Sequence, residues 1–308
     1  MCGNRNFTIQ LLLAAVLATG CARPLPPDKG QVTRPEVDFD KIIRQKDVEY
    51  PAVPPANTKA SLNGRRARIQ DQVLEEFSRC PECFVRKITG AQRTYLFDAV
   101  VDCETAIRIG SPFDGGKWIC SPQSLPPRPV VYSFGIGDDI SFDAEMAGRF
   151  GCDVFMFDPS PSVVRSFEHF ESGRRCGPGR LYFEPVGLGP ISAGEANPWQ
   201  LVIEGKACPV QSFAEIARSH NHSRIDILKI DIEGGEFAVL QQMIASNALA
   251  SLRVRQLLVE FHLINDECFT GFMRIMGELK KQGFLLFRKE FNPYSADKCA
   301  EFAFVKLP

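Results

Sequence analysis

Apolar runs of strand length recur from Val130 onward, and several end in glycine or in carboxylates. Val130-Val131-Tyr132-Ser133-Phe134, Asp153-Val154-Phe155-Met156-Phe157, Ile225-Asp226-Ile227-Leu228-Lys229-Ile230 and Leu257-Leu258-Val259-Glu260-Phe261-His262 have the β-branched and aromatic content of buried parallel strands. A helix-length segment through Phe150 separates the first two, and after the third the apolar positions switch to helical spacing at Phe237, Leu240 and Ile244. Strand followed by helix, repeated, predicts an α/β fold with a doubly wound, Rossmann-like parallel sheet.

In such sheets ligands bind beyond the carboxyl ends of the strands, so the residues that follow each run carry the chemistry. The first strand enters Gly135-Ile136-Gly137-Asp138-Asp139, a turn whose glycines let backbone approach a ligand closely. The second ends in Asp158, 21 residues beyond Gly137, the spacing at which an acid accepts hydrogen bonds from the ribose hydroxyls of a nucleoside. Gly187, in Val186-Gly187-Leu188-Gly189, joins this candidate cofactor set. A dinucleotide fingerprint would have a third glycine where Ile140 stands, and Asp138 and Asp139 would repel a pyrophosphate. Two carboxylates suit a cofactor bearing an ammonium or sulfonium cation, and S-adenosylmethionine has both.

The third strand breaks into Asp231-Ile232-Glu233-Gly234-Gly235-Glu236, and the fourth ends next door in Glu260 and His262. Methyl transfer from a sulfonium needs in-line alignment and removal of a proton from the acceptor. Asp231, Glu233, Glu260 and His262 are the candidates for that work. His262 reads as a general base whose tautomer is set by Glu260 or Glu233, because an ordinary imidazole titrates near neutrality and alternate residues of one strand share a face. Glu233 and Glu236, three apart, also read simply as acids at a helix N-terminus. The same acids and imidazole form an alternative Mg²⁺ or Mn²⁺ site, which nothing in the spacing demands.

Lys229-Ile230-Asp231-Ile232-Glu233-Gly234-Gly235-Glu236 followed by Leu240 resembles the signature of FkbM-type S-adenosylmethionine-dependent methyltransferases. Val131 to Gly137 with Ser141-Phe142-Asp143, and Asn292-Pro293-Tyr294 with Cys299-Ala300-Glu301, resemble more narrowly the group of methyltransferase-like protein 24 and its relatives. The resemblance covers about residues 95 to 308. It implies a class I sheet of seven strands with an antiparallel last strand, its final hairpin at Phe284 to Phe287 and Phe302 to Val305. It also implies O-methylation, often of sugar or other hydroxyls.

The chain has 308 residues, 44% of them hydrophobic, more than one such core needs, and the surplus is N-terminal. Residues 1–22 read as a secretory signal peptide: Arg5, a short apolar run from Leu11 to Ala18, and small residues at Ala18, Gly20 and Ala22. An uncleaved type II membrane anchor and a lipidated Cys21 are the alternatives. Residues 23–61 are a Pro-rich linker, 62–127 a helical, Cys-containing subdomain, and 128–308 the catalytic domain. Eleven cysteines agree with a secreted or lumenal location. Cys103 with Cys120, flanking a short polar segment, reads as one bridge, and Cys80 and Cys83 as a structural disulfide in preference to a redox pair or half of a zinc site.

A net charge of -1 with no long basic block argues against nucleic acid as partner. The acceptor expected is a glycan or small molecule. Its pocket falls to residues 62–127, the loop after Gly189 and Asn265 to Thr270. Two rival functions fit parts of the pattern. A lumenal metal-dependent glycosyltransferase would use Asp231-Ile232-Glu233 for a metal-bound sugar nucleotide, and a secreted binding protein would keep the fold without activity. The turn glycines and Asp158 speak against such decay.

Overall fold

The structure is a computed structural model that describes residues 59–306, apart from 89, 91, 113, 192–200, 293–294 and 296–297. The leader, all but the end of the linker, and the Pro293-Tyr294 dipeptide therefore lie outside the described residues. In chain order the elements are α1 (Lys59–Arg79), α2 (Pro81–Lys87), α3 (Gln92–Tyr95), β1 (Ile107–Ile109), β2 (Lys117–Ile119), β3 (Val130–Phe134), α4 (Ser141–Phe150) and β4 (Asp153–Phe157). There follow α5 (Pro161–Ser166), β5 (Arg174–Cys176), β6 (Gly179–Glu184), β7 (Gly187–Leu188), β8 (Leu201–Ile203), β9 (Lys206–Cys208), β10 (Val210–Gln211) and α6 (Phe213–Ser219). The last are β11 (Ile227–Ile230), α7 (Glu236–Ala245), α8 (Ala248–Ser251), β12 (Gln256–His262), α9 (Asp266–Lys281), β13 (Phe284–Phe291) and β14 (Cys299–Lys306).

The main sheet runs β13-β14-β12-β11-β3-β4-β6-β5. β3 pairs in parallel with β4 on one side and β11 on the other, so the strand order reverses at β3 and leaves a crevice beyond its carboxyl end. β14 is antiparallel to β12, as expected. The sheet has eight strands, not seven: Arg174–Cys176 folds back through Gly177 and Pro178 onto β6 as an antiparallel edge, a tight hairpin with Gly177 at φ 56°. The final hairpin extends past its apolar runs because pairing continues through Arg288, Lys289 and Glu290, of which Lys289 and Glu290 are held by Thr94, Arg108 and Trp118 from the preceding segment.

Alternation along the strands builds two cores. Tyr132, Phe134, Phe155, Phe157, Leu228, Val259 and Phe261 pack on one face with Phe213 of α6, Leu240 of α7 and Phe269 and Phe272 of α9, joined by Phe77 and Phe84 from α1 and α2. Val131, Val154, Met156, Ile227 and Leu258 pack on the other with Phe142 and Met146 of α4, and with Ile109 and Ile119 of the β1–β2 hairpin. A small antiparallel hairpin thus covers sheet surface next to the crevice.

Cys103–Cys120 and Cys80–Cys83 are bridged, as the sequence indicates. Cys152, Cys176, Cys208, Cys268 and Cys299 are buried and take no part in these two bridges. Among the described residues no helix is long and apolar enough to cross a membrane.

Candidate active site

The glycine turn, the β4 acid and the β11 acid form one connected unit. Gly135 takes φ 72° and Gly137 φ 56°, a left-handed backbone that favours glycine. A Cβ on Gly135 would overlap the carbonyl oxygen of Asp231, whereas one on Gly137 would meet open space. The Asp231 N–H donates to the Phe134 carbonyl (3.1 Å) and the Gly135 N–H to that of Phe157 (2.9 Å), tying three strand ends together. The Asp158 carboxylate accepts from the N–H groups of Gly137 (3.1 Å) and Ser160 (2.9 Å), so it is fixed between the turn and the start of α5. Asp138 is exposed on the rim. Gly187 is buried against Pro159, and its N–H donates to the Pro209 carbonyl (2.8 Å); it is a packing position beside the Asp158 loop.

Lys229, in the middle of β11, is buried under the turn and donates to the Gly135 carbonyl (2.8 Å). Asp143 of α4 is buried nearby, and burial pushes its carboxyl up to about 6 against the opposing influence of Lys229.

The acids at the ends of β11, β12 and β14 converge under the hairpin. Register sets Glu260 directly opposite Glu301. Lys117 of β2 donates to Glu301 and to Asp231 (3.0 Å), and the Asn292 amide donates to Glu260 (2.7 Å). Burial opposes ionisation of Asp231, yet Lys117, then Lys229 and His262, outweigh it and hold its carboxyl well below the usual carboxylate range. Burial with Asp231 and Glu301 beside it pushes Glu260 up to about 9, so this carboxyl keeps its proton at neutral pH. Burial also raises Glu301.

His262 meets Glu236 at Nδ1 and Glu233 at Nε2 (3.4 Å). The expected partner Glu233 is in place, but Glu260 faces Asn292 instead, and Glu236, at the first turn of α7, takes the other ring nitrogen. Burial works against charging this imidazole, but Glu236, with Cys299 and Glu260 behind it, outweighs burial and holds His262 far above the usual imidazole range. The near-neutral titration expected of this ring is therefore displaced upward, chiefly by the Glu236 carboxylate. Glu233 sits at φ 55° with a side chain that is 67% exposed, the outermost acid of the group.

Asp231, Glu233 and His262 place ligand atoms within 4.8 Å of one another. A metal would need His262 neutral, whereas Glu236 at Nδ1 favours its charged form. Sequence reasoning missed Lys117, Glu301, Lys229 and Asn292 as members of this group. The available signals are a lysine after Gly115-Gly116 and charged residues inside otherwise apolar strands.

Switch-point glycine turn, strand-end acid and antiparallel last strand together define a Rossmann-like methyltransferase fold. Residues 88–306 match the model of the family described as "Methyltransferase domain", and the chain belongs to that family. It is 33% identical over 134 residues to probable methyltransferase-like protein 24 of Rattus norvegicus, and 32% identical over 135 residues to that of Homo sapiens. Each match covers 43% of this chain and 32% of the relative, so the matched part spans about a third of the relatives' length. The solved magnesium protoporphyrin IX methyltransferase of Synechocystis with bound SAM is similar at 15% identity and a TM-score of 0.37, over 60% of this chain and 73% of that one.

Proposed function

We propose that the chain is an S-adenosylmethionine-dependent methyltransferase that acts on a hydroxyl oxygen of a glycan or small molecule in the secretory pathway. The observation that carries this reading is the single unit made by Gly135, Gly137, Asp158 and Asp231 at the switch point of the sheet. The residues fit the cofactor. Open space at Gly137 leaves room for a ligand on the turn, Asp158 is an anchored carboxylate where a ribose is read, and Asp231 is an anion suited to a sulfonium or ammonium. Bound there, the cofactor supplies a methyl group on a good leaving group.

The chain's own residues then divide the work. Asp158 and the turn bind, and Asp231 provides fixed negative charge. Glu233, exposed at the mouth, is the carboxylate placed to accept the acceptor's proton. Glu236 at Nδ1 favours the charged form of His262, which suits it to orient Glu233 through Nε2 and not to act as the base. Glu260 keeps its own proton and is likewise no base at neutral pH. Exposed Asp114, Asp138 and Glu233 make an acidic rim, which favours neutral acceptors over polyanions such as nucleic acid. The resemblance to FkbM-type enzymes supports oxygen as the methylated atom, and the two disulfides agree with an oxidising compartment.

Incubation with methyl-labelled S-adenosylmethionine and a glycan extract, followed by mass spectrometry, tests the reading. It predicts label on acceptor hydroxyls and a turnover about 100-fold lower in Glu233→Gln, with cofactor affinity retained. Label on nitrogen or carbon, or full turnover in the variant, contradicts it.

A further inference from the structure

Three carboxyl groups, on Asp231, Glu260 and Glu301, meet beneath the hairpin, and among the described residues Lys117 is the cation that forms ion pairs with two of them. Around Asp231 stand Lys229 from β11, Glu260 and His262 from β12, Glu301 from β14, Glu233 from its own turn and Lys117 from β2. Lys229 hydrogen-bonds the Gly135 carbonyl and His262 meets Glu236 and Glu233, so both act on Asp231 through charge without a direct hydrogen bond to its carboxylate. The Lys117 side chain is 1% exposed and touches both Asp231 and Glu301.

The hairpin that delivers it is fixed on every side. Gln256 exchanges two hydrogen bonds with the Cys120 backbone (2.7 and 2.8 Å), and Arg108 and Trp118 both bond Glu290 (2.9 and 3.1 Å). Arg288 lies over the Trp118 ring, and the Cys103–Cys120 bridge closes the base. Its loop rests on the cofactor turn and the start of α4. Ser111 N–H donates to the Ser141 hydroxyl (2.7 Å), and a Cβ on Gly115 would press on the Asp139 carboxylate at 2.8 Å.

We propose that Lys117 is a positioning residue for methyl transfer: from the hairpin it fixes the Asp231 carboxylate beside the glycine turn, aimed where the cofactor's cation is received. This rests on the methyltransferase reading above. A lysine buried against two acids, and held by a hairpin that also leans on the cofactor turn, joins the N-terminal segment to the site chemically as well as sterically. Without its ammonium Asp231 loses the ion-pair partner that holds its carboxylate in place, and binding of a cationic cofactor weakens.

The test pairs Lys117→Met with Lys117→Met/Glu301→Gln, the second of which removes the ammonium and one carboxylate together and leaves a better balanced interior. Two readouts are taken: calorimetric affinity for S-adenosylmethionine across pH, and titration of the Asp231 carboxyl by NMR without cofactor. The expected result is an affinity lower by about tenfold or more, with the acid limb of binding moved up by about one pH unit or more, in the double variant. Its Asp231 carboxyl is expected to rise by the same amount. Unchanged affinity and an unchanged Asp231 titration in the double variant overturn the proposal. Should neither variant fold, wild-type Asp231 titrating within the usual carboxylate range overturns it equally. If wild-type protein binds no S-adenosylmethionine at any pH, the functional reading fails, and the carboxyl titration still decides what Lys117 does to Asp231.

Discussion

Two buried lysines prop the crevice, Lys229 from below and Lys117 from the side, and the acids around them do not all share the same charge state. Asp231 is held ionised, Glu260 is held protonated, and Asp143 is pushed up to about 6. For Asp143 the sign follows from proton uptake. Its folded pKa lies above the ordinary carboxylate range, so between about pH 4 and 6 the folded chain keeps a proton that the unfolded chain releases, and stability falls as pH rises through that window. Asp143→Asn removes the titration. Urea denaturation should find the variant gaining about 2–3 kcal/mol relative to wild type between pH 4 and pH 7; a constant difference would contradict the burial argument. The local reason for the His262 assignment is equally concrete: a first-turn glutamate of α7 reaches back over the end of β12, and its charge outweighs the burial of the ring.

At the scale of elements, the site depends on the β3 turn lying against the β11 end with no space for a side chain. Gly135→Ala should therefore separate them. It should lower stability by clearly more than the about 1–2 kcal/mol of a left-handed alanine, and it should abolish cofactor binding. Gly137→Ala, at a similar φ but facing open space, should cost about that conformational amount alone. Melting curves of the two variants decide; equal losses would mean that Gly135 is not wedged against Asp231. The strands flanking this turn were legible because two-sided burial makes them continuous apolar runs: Val130 to Phe134, Asp153 to Phe157 and Gln256 to His262 coincide with the readings to within a residue. Their terminal acids were legible with them. The β1–β2 hairpin was not, since its strands are three residues each, carry Arg108 and Lys117 inside, and owe their place to distant partners such as Gln256 and Glu290. The pairing of Glu260 with Glu301 is equally non-local, fixed by the register of β12 on β14 and not by anything adjacent in the chain. The eighth strand escaped for the same reason as most edge strands, being short and polar.

For the molecule as a whole, one sheet face is sealed by helices and the other by α4 and the hairpin, and the glycine turn, buried Asp158 and Asp231 gather at the carboxyl end of β3. The family match runs from residue 88 to 306 and so includes the hairpin as well as the sheet, in keeping with a catalytic unit that is not confined to the strands. The central claim, that this switch point receives S-adenosylmethionine, is tested most directly by calorimetric titration of wild-type protein and Asp158→Ala side by side. The account predicts saturable, one-to-one binding by wild type and an affinity at least about tenfold lower in the variant. No binding by wild type, or equal binding by both, would contradict it.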